Sequence, residues 1–271
     1  MYLINEQWVQ QHIIHRSITG HKKTFGHVLI IAGSEGMAGA AILCAKAAIH
    51  SGCGMVTALL PSDAVNVLLA QCPEIMYINN PSIEGVDLKN YDAILIGPGI
   101  GFSETTKSNL KYVLDNYHGS IVLDADALTI IANEKYKLKA NHIVTPHPGE
   151  FSRLMGFEYH EDERVEQALL FIEKTTAVLV LKGAKTIVGS SSNNLMQNTS
   201  GNDGMATAGS GDVLSGIIVA LCARGYAEFN AAAIGVYVHG LAGDTAILNL
   251  SKSGLTASDI INSLRKIRLL D

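Results

Sequence analysis

Short, wholly apolar runs that end in glycine-rich or acidic loops, alternating with helical patterns, constrain this chain most. Val28 to Ala32 is such a run, closed by Gly33. Met55 to Leu60, Ala93 to Ile96, Ile121 to Asp124, Ile143 to Thr145 and Ala177 to Leu181 repeat it. Runs of this kind suit strands buried on both faces in a parallel sheet. Helical patterns lie between most of them: Ala38 to Ser51, a stretch led in by Pro61-Ser-Asp and ending near Gln71, Ser103 to Asn116, and Asp162 to Lys174. This alternation predicts a doubly wound α/β sandwich. After Lys182 the rhythm changes. Thr186-Ile-Val-Gly, a polar turn over Ser190 to Asn194 and then Leu195-Met-Gln predict a hairpin. Long apolar helices follow at about Gly211 to Arg224, Asn230 to Leu248 and Ala257 to Ile267. No linker, repeat or low-complexity tract divides residues 1–271, which predicts one domain.

Composition narrows the function classes. Twenty-six glycines against six prolines point to tight strand-to-helix turns rather than disorder. A net charge of −5 provides no global positive field, which argues against nucleic-acid and anionic-membrane partners. The N-terminal segment has an early acidic residue and no long apolar core, so no secretory signal is expected. Val213 to Ala223 is too short to span a membrane, and Ala231 to Leu248 is interrupted by His239, Gly240, Gly243 and Asp244, so both are expected as buried helices. Cys44, Cys53, Cys72 and Cys222 lack C-x-x-C spacing and read as small core residues in a reducing, cytoplasmic compartment.

In an open α/β sheet, ligands bind beyond the carboxyl ends of the strands, so the loops there are the place to look. Gly33-Ser-Glu-Gly-Met-Ala-Gly39 is either a packing turn or an anion-accepting turn before a helix. Gly97-Pro-Gly-Ile-Gly101 carries three alternating glycines, which packing alone explains less readily than close approach of a ligand. Leu123-Asp-Ala-Asp-Ala-Leu128 places two carboxylates at one strand end, with Asp126 read as a helix cap ahead of a metal ligand. In Thr145-Pro-His-Pro-Gly-Glu150, prolines restrict His147 to an extended loop. Glu150 suits either a metal-bound water or the helix dipole. Leu181-Lys-Gly-Ala-Lys-Thr186 sets Lys182 and Lys185 around a strand end, where paired lysines suggest phosphate. His239 and Asp244 read as a satisfied core histidine and a buried, hydrogen-bonded carboxylate.

The stretch Asn198 to Gly216 is the strongest signal. Gly209-Ser210-Gly211 runs directly into an apolar helix, so free backbone N–H groups converge at the positive end of a helix dipole. Asp212, a lone carboxylate in that first turn, suits a base for a hydroxyl attacking a phosphoryl group. These residues alone support a phosphoryl-transfer α/β enzyme, with ordinary capping by Asp212 as the bland alternative.

Taken together and in this order, Gly26-His-Val-Leu-Ile-Ile-Ala-Gly-Ser, Gly97-Pro-Gly-Ile-Gly, Leu123-Asp-Ala-Asp-Ala-Leu, Thr145-Pro-His-Pro-Gly-Glu, Leu181-Lys-Gly-Ala-Lys-Thr and Asn198 to Gly216 resemble the ADP/ATP-dependent NAD(P)H-hydrate dehydratases, a branch of the ribokinase-like superfamily. The resemblance runs from about Lys22 to Asp244. Lys23, Asp203 and Ala208 depart from the family's usual glycine, proline and glycine beside the motif cores. It implies a three-layer α/β/α sandwich with a mostly parallel sheet. It further implies dehydration of the S-epimer of hydrated NADH or NADPH, with ADP (giving AMP and phosphate) or ATP as co-substrate and Mg²⁺ as cofactor. Asp212 would take the hydroxyl proton, and the Gly209, Ser210 and Gly211 amides would hold the migrating phosphoryl group. Ala40, Gly101, His147 and Asp212 map to hydrate-binding positions. Lys182, Gly183, Ala184, Lys185, Thr186 and Gly211 map to adenine-nucleotide positions, and Glu150 to a residue that orients Mg²⁺ through water. A homotetramer is implied as well. The alternatives are a vitamin kinase of the same superfamily, which would release a phosphorylated product, and a nucleotide sensor, which would have no use for both Asp212 and Glu150.

Overall fold

Alternate side chains of each central strand enter opposite cores, as the wholly apolar runs require. In β2 (His27–Ile31), Val28 and Ile30 join one buried cluster while Leu29 and Ile31 join the other. The computed structural model describes residues 1–60 and 64–271. Its remaining strands are β1 (Tyr2–Ile4), β3 (Met55–Leu59), β4 (Met76–Ile78), β5 (Ala93–Ile96), β6 (Ser120–Leu123), β7 (His142–Val144), β8 (Val178–Leu181), β9 (Ile187–Ser190) and β10 (Asn193–Asn198). They form one sheet of order β1-β10-β9-β8-β7-β6-β5-β2-β3-β4. From β4 to β8 every neighbouring pair is parallel. Strand β9 runs against both β8 and β10, and β1 returns to lie parallel to β10. The hairpin expected beyond Lys182 is therefore present, with a register shift between Asn193 and Met196.

The helices are α1 (Glu6–His12), α2 (Ala38–His50), α3 (Val65–Gln71), α4 (Glu104–Asn116), α5 (Asp126–Glu134), α6 (Pro148–Met155), α7 (Arg164–Lys174), α8 (Ser210–Ala223), α9 (Glu228–Ala246) and α10 (Ala257–Leu264). One core is covered by α2, α8, α9 and α10, the other by α4, α5, α6 and α7. This is the three-layer α/β/α sandwich expected. The Pro61-Ser-Asp entry to a helix lies outside the described residues. Expected boundaries shift by a residue or two: Asp124 and Thr145 fall just past their strands. The last helix stops at Leu264 rather than Ile267.

Helices α8 and α9 are buried on nearly all sides, from Val213 to Ala223 and from Ala231 to Val238. No helix among the described residues is long and apolar enough to cross a membrane. Cys44, Cys72 and Cys222 are buried, Cys53 is partly so, and all four are free. The two layers leave the loops after β2, β5, β6, β7 and β8 along one edge of the sheet, facing the start of α8.

Candidate active site

Parallel pairing brings Gly33, Gly97, Asp124, Thr145 and Lys182 to the carboxyl ends of adjacent strands. These residues lie far apart in sequence and meet only because β2, β5, β6, β7 and β8 stand side by side. Gly97 is needed for closeness: at φ +138°, an added Cβ would collide with the Asp124 carbonyl oxygen. The loop after β5 can therefore press against the end of β6 only without a side chain there.

Asp124 is the junction of the site, a role the sequence alone did not assign. It is 1% exposed. Its Oδ1 accepts from Lys182 Nζ at 2.9 Å and from the Ala125 N–H at 2.9 Å. Its Oδ2 accepts from Ser215 Oγ at 2.6 Å, and Ser215 is fully buried on α8. Lys182 Nζ also lies 3.8 Å from Glu150 Oε2. Burial opposes the charge on Lys182, but Asp124, Glu150 and Asp212 outweigh it and hold the ammonium above its usual value. The partners of Lys182 in the structure are thus two carboxylates, while the residue still lines the neighbouring cavity. Lys185 is exposed and stands outside the lining of the neighbouring cavity.

Helix α8 begins at Ser210, with Gly209 at the N-cap in the left-handed region at φ +83° and no side-chain cap. An added Cβ on Gly209 would collide with Leu43. Asp212 therefore does not cap the helix; it lies in the first turn, two residues beyond Ser210. Burial first, and then the Asp124 charge, push the Asp212 carboxyl up to about 7, while Lys182 pulls the other way. The group thus stands where a carboxylate can accept a proton near neutrality. Of the three amides expected to face an anion, that of Ser210 is donated to the Thr207 carbonyl at 3.3 Å. Gly211 faces Lys182, whose Nζ would be 3.4 Å from an added Cβ.

Beside Gly211 opens a cavity of about 550 Å³. Lys182, Gly183, Ala184 and Thr186 form one wall, and Ser210, Gly211 and Leu214 another. Val236, His239 and Gly240 line it from α9. Its size falls within the usual range for small-molecule sites. Burial lowers the His239 pKa to about 4, so the ring is neutral, with Nε2 3.3 Å from Ser210 Oγ. Asp244 accepts from the Gly201 N–H at 2.8 Å and from Asn202 Nδ2 at 2.9 Å, which ties down the loop over the cavity. Both residues are hydrogen-bonded as expected, yet they also shape the site. At the lip, Asp203 pairs with Lys252 at 2.6 Å.

His147 and Glu150 form a reciprocal cap at the start of α6. The Glu150 carboxylate accepts the His147 N–H at 2.8 Å, and His147 Nδ1 accepts the Gly149 N–H at 3.0 Å. His147 Nε2 lies 3.3 Å from Glu150 Oε1, and the ring is about half exposed. Asp126 is not a helix cap: Ala125 holds the N-cap, and Asp126 Oδ2 accepts the Gly101 N–H at 2.9 Å. Ala40 packs near the same turn, its Cβ 3.2 Å from where a Cβ on Gly99 would stand. Ala40, Gly101 and His147 do not line the 550 Å³ cavity.

A family model described as NAD(P)H-hydrate dehydratase matches residues 28–266. The chain is 37% identical, over 97% of its length, to a bifunctional NAD(P)H-hydrate repair enzyme of Moorella thermoacetica, of which it covers 53%. It spans about half the length of the bifunctional relatives it matches. It is also 37% identical to the ADP-dependent (S)-NAD(P)H-hydrate dehydratase of Neisseria meningitidis serogroup B, covering 93% of this chain and 88% of that one. In structure it is similar to an ADP/ATP-dependent NAD(P)H-hydrate dehydratase from Bacillus subtilis co-crystallised with ATP and Mg²⁺, with a TM-score of 0.87 and 28% identity over 98% of this chain and 96% of that one. The sandwich is ribokinase-like.

Proposed function

The chain belongs to the NAD(P)H-hydrate dehydratase family, and we propose that it dehydrates the S-epimer of hydrated NADH or NADPH with ADP or ATP as phosphoryl donor. The ring hydroxyl attacks the terminal phosphoryl group, its proton passes to the Asp212 carboxylate, and AMP (or ADP) leaves. Phosphate then departs from the ring carbon as a proton is lost from the neighbouring carbon, which restores the ring double bond. The observation that carries this reading is Asp212 itself, a carboxyl pushed up to about 7 at a helix start that offers backbone N–H groups to a phosphoryl oxygen.

Nucleotide fits the cavity lined by Lys182, Gly183, Ala184, Thr186 and Gly211. Lys182 presents one positive charge there while Asp124 and Glu150 fix its position. Hydrate lies toward Ala40, Gly101 and His147, on the other side of Asp212. Among the described residues no three His, Cys, Asp or Glu side chains cluster as a metal cage. Glu150, already accepting from the His147 amide, fits Mg²⁺ held through water better than direct ligation. Bound with the nucleotide, Mg²⁺ would neutralise phosphate charge in transfer. A homotetramer in the cytoplasm completes the proposal. Exposed Tyr2 and Leu3 on edge strand β1 offer apolar surface for assembly, which light scattering reads directly.

The test supplies hydrated NADH, Mg²⁺ and either ADP or ATP, and follows the returning dihydronicotinamide absorbance together with free phosphate. Stoichiometric appearance of both is expected. A stable phosphorylated product without restored cofactor would mark a small-molecule kinase instead.

A further inference from the structure

Between β6 and α5 the chain passes through Asp124, Ala125 and Asp126. Ala125 has φ +50° and ψ −120°. It is one of two non-glycine residues with positive φ among the described residues. Such a backbone persists only where its surroundings over-determine it. Here both neighbours are tied, and in different directions. Asp124 is bonded to Lys182 on β8's loop and to Ser215 on α8. Asp126 does not serve its own helix; its Oδ2 holds the Gly101 N–H at the end of the β5 loop. On the other side of Gly101 there is open space, since an added Cβ would meet only Ser34 Oγ, at 3.9 Å. The Gly101 turn is thus anchored by one side chain and free toward a ligand.

Resting on the functional reading above, we propose that Asp126 is a positioning residue for the hydrated nicotinamide cofactor. It fixes the Gly101 amide, and through the strained Ala125 it shares one short segment with Asp124, so the hydrate turn and the phosphoryl-transfer centre keep a set spacing. A misplacement of about 1 Å between reacting groups costs on the order of 100-fold in rate, which gives such a bracket its purpose.

The test compares Asp126→Ala, which removes the acceptor, with Asp126→Asn, which keeps an oxygen able to accept the Gly101 N–H. For Asp126→Ala, KM for hydrated NADH is expected to rise about tenfold or more, with KM for the nucleotide within about twofold of the parent. Asp126→Asn should return most of the hydrate KM. Hydrogen exchange at the Gly101 amide, measured without any ligand, should quicken in Asp126→Ala. An unchanged hydrate KM in the folded variant, an equal rise in both KM values, no rescue by Asn, or unaltered Gly101 exchange would each overturn the proposal. A parent protein that leaves hydrated NADH untouched would overturn the functional reading, and with it the hydrate as the ligand of this turn. Faster Gly101 exchange in the variant would then show that the anchor exists while its ligand was misread.

Discussion

On the α8 side of the site, side-chain charge does the holding: Lys182 lies between Asp124 and Glu150, and Ser215 donates to Asp124 from a fully buried position. On the β2–β5 side the surface is mostly backbone, two glycine turns with Asp126 as the side-chain anchor of Gly101. The first arrangement tunes charge and proton affinity, which suits phosphoryl groups. The second sets shape, with the Gly33, Gly97 and Gly101 amides held inside the protein. The difference teaches that one site can divide its work between titratable side chains and a rigid backbone.

Asp212→Asn strikes the charged side hardest. It keeps size but removes basicity, so kcat should fall roughly 10²–10⁴-fold with nucleotide affinity, read by calorimetry, unchanged. In the parent, kcat should climb through about pH 7, where Asp212 loses its proton, and level off above it. Stability should move oppositely. A carboxyl raised on folding binds its proton more tightly in the folded state, so it destabilises progressively as pH rises from about 4 toward 7. Asp212→Asn should therefore melt above the parent at pH 8 and together with it below about pH 4. A parent-like rate would break the comparison at its centre.

Lys182→Met comes next. It leaves Asp124 and Glu150 without their cation, and a broken buried pair of this kind costs about 3–5 kcal/mol, measurable by urea unfolding. Lys185→Met, exposed and unpaired in this way, should stay within about 0.5 kcal/mol of the parent. Equal effects would mean that Lys182 is not held by carboxylates as described. On the backbone side, Gly97→Ala should destabilise by about 1–3 kcal/mol, because its methyl meets the Asp124 carbonyl. A silent Gly97→Ala would show that this side is looser than the packing implies. The smallest effect is expected from Asp244→Ala. Freeing the Gly201 amide and the Asn202 side chain should loosen the cavity loop and weaken nucleotide binding about three- to tenfold. The parent's affinity in that variant would remove the loop from the nucleotide's contacts.

The backbone side was the more legible in sequence. The glycines of Gly97-Pro-Gly-Ile-Gly101 mark a turn by their residue type alone, and at Gly97 and Gly99 the close neighbours are the protein's own atoms. Asp212 drew attention for the opposite reason, as a lone carboxylate in the first turn of an apolar helix. The network that tunes it was not legible. Asp124 and Lys182 are 58 residues apart, and Asp124 and Ser215 are 91 apart. Only the neighbourhood of β6, β8 and α8 makes them partners. Asp126 misled for a local reason: an acidic residue before an apolar helix resembles a cap, and nothing in the sequence reveals that Ala125 turns it toward Gly101. The strand β1, of three residues, and the helix α1, of seven, carry too little pattern to read in the sequence.

That first strand has a consequence for how the molecule is made. Ile4 receives a hydrogen bond from Thr199, 195 residues away, and Tyr2 pairs with Met196. At a ribosomal pace of about 5–20 residues per second, β1 waits roughly 10–40 s after its synthesis before its partner strand exists. Contacts that distant in sequence slow folding. Until β1 docks, β10 presents an open edge on which another chain could template. The β10 edge is therefore closed only after a strand made long before it comes back to pair, and until then it can mispair with another chain.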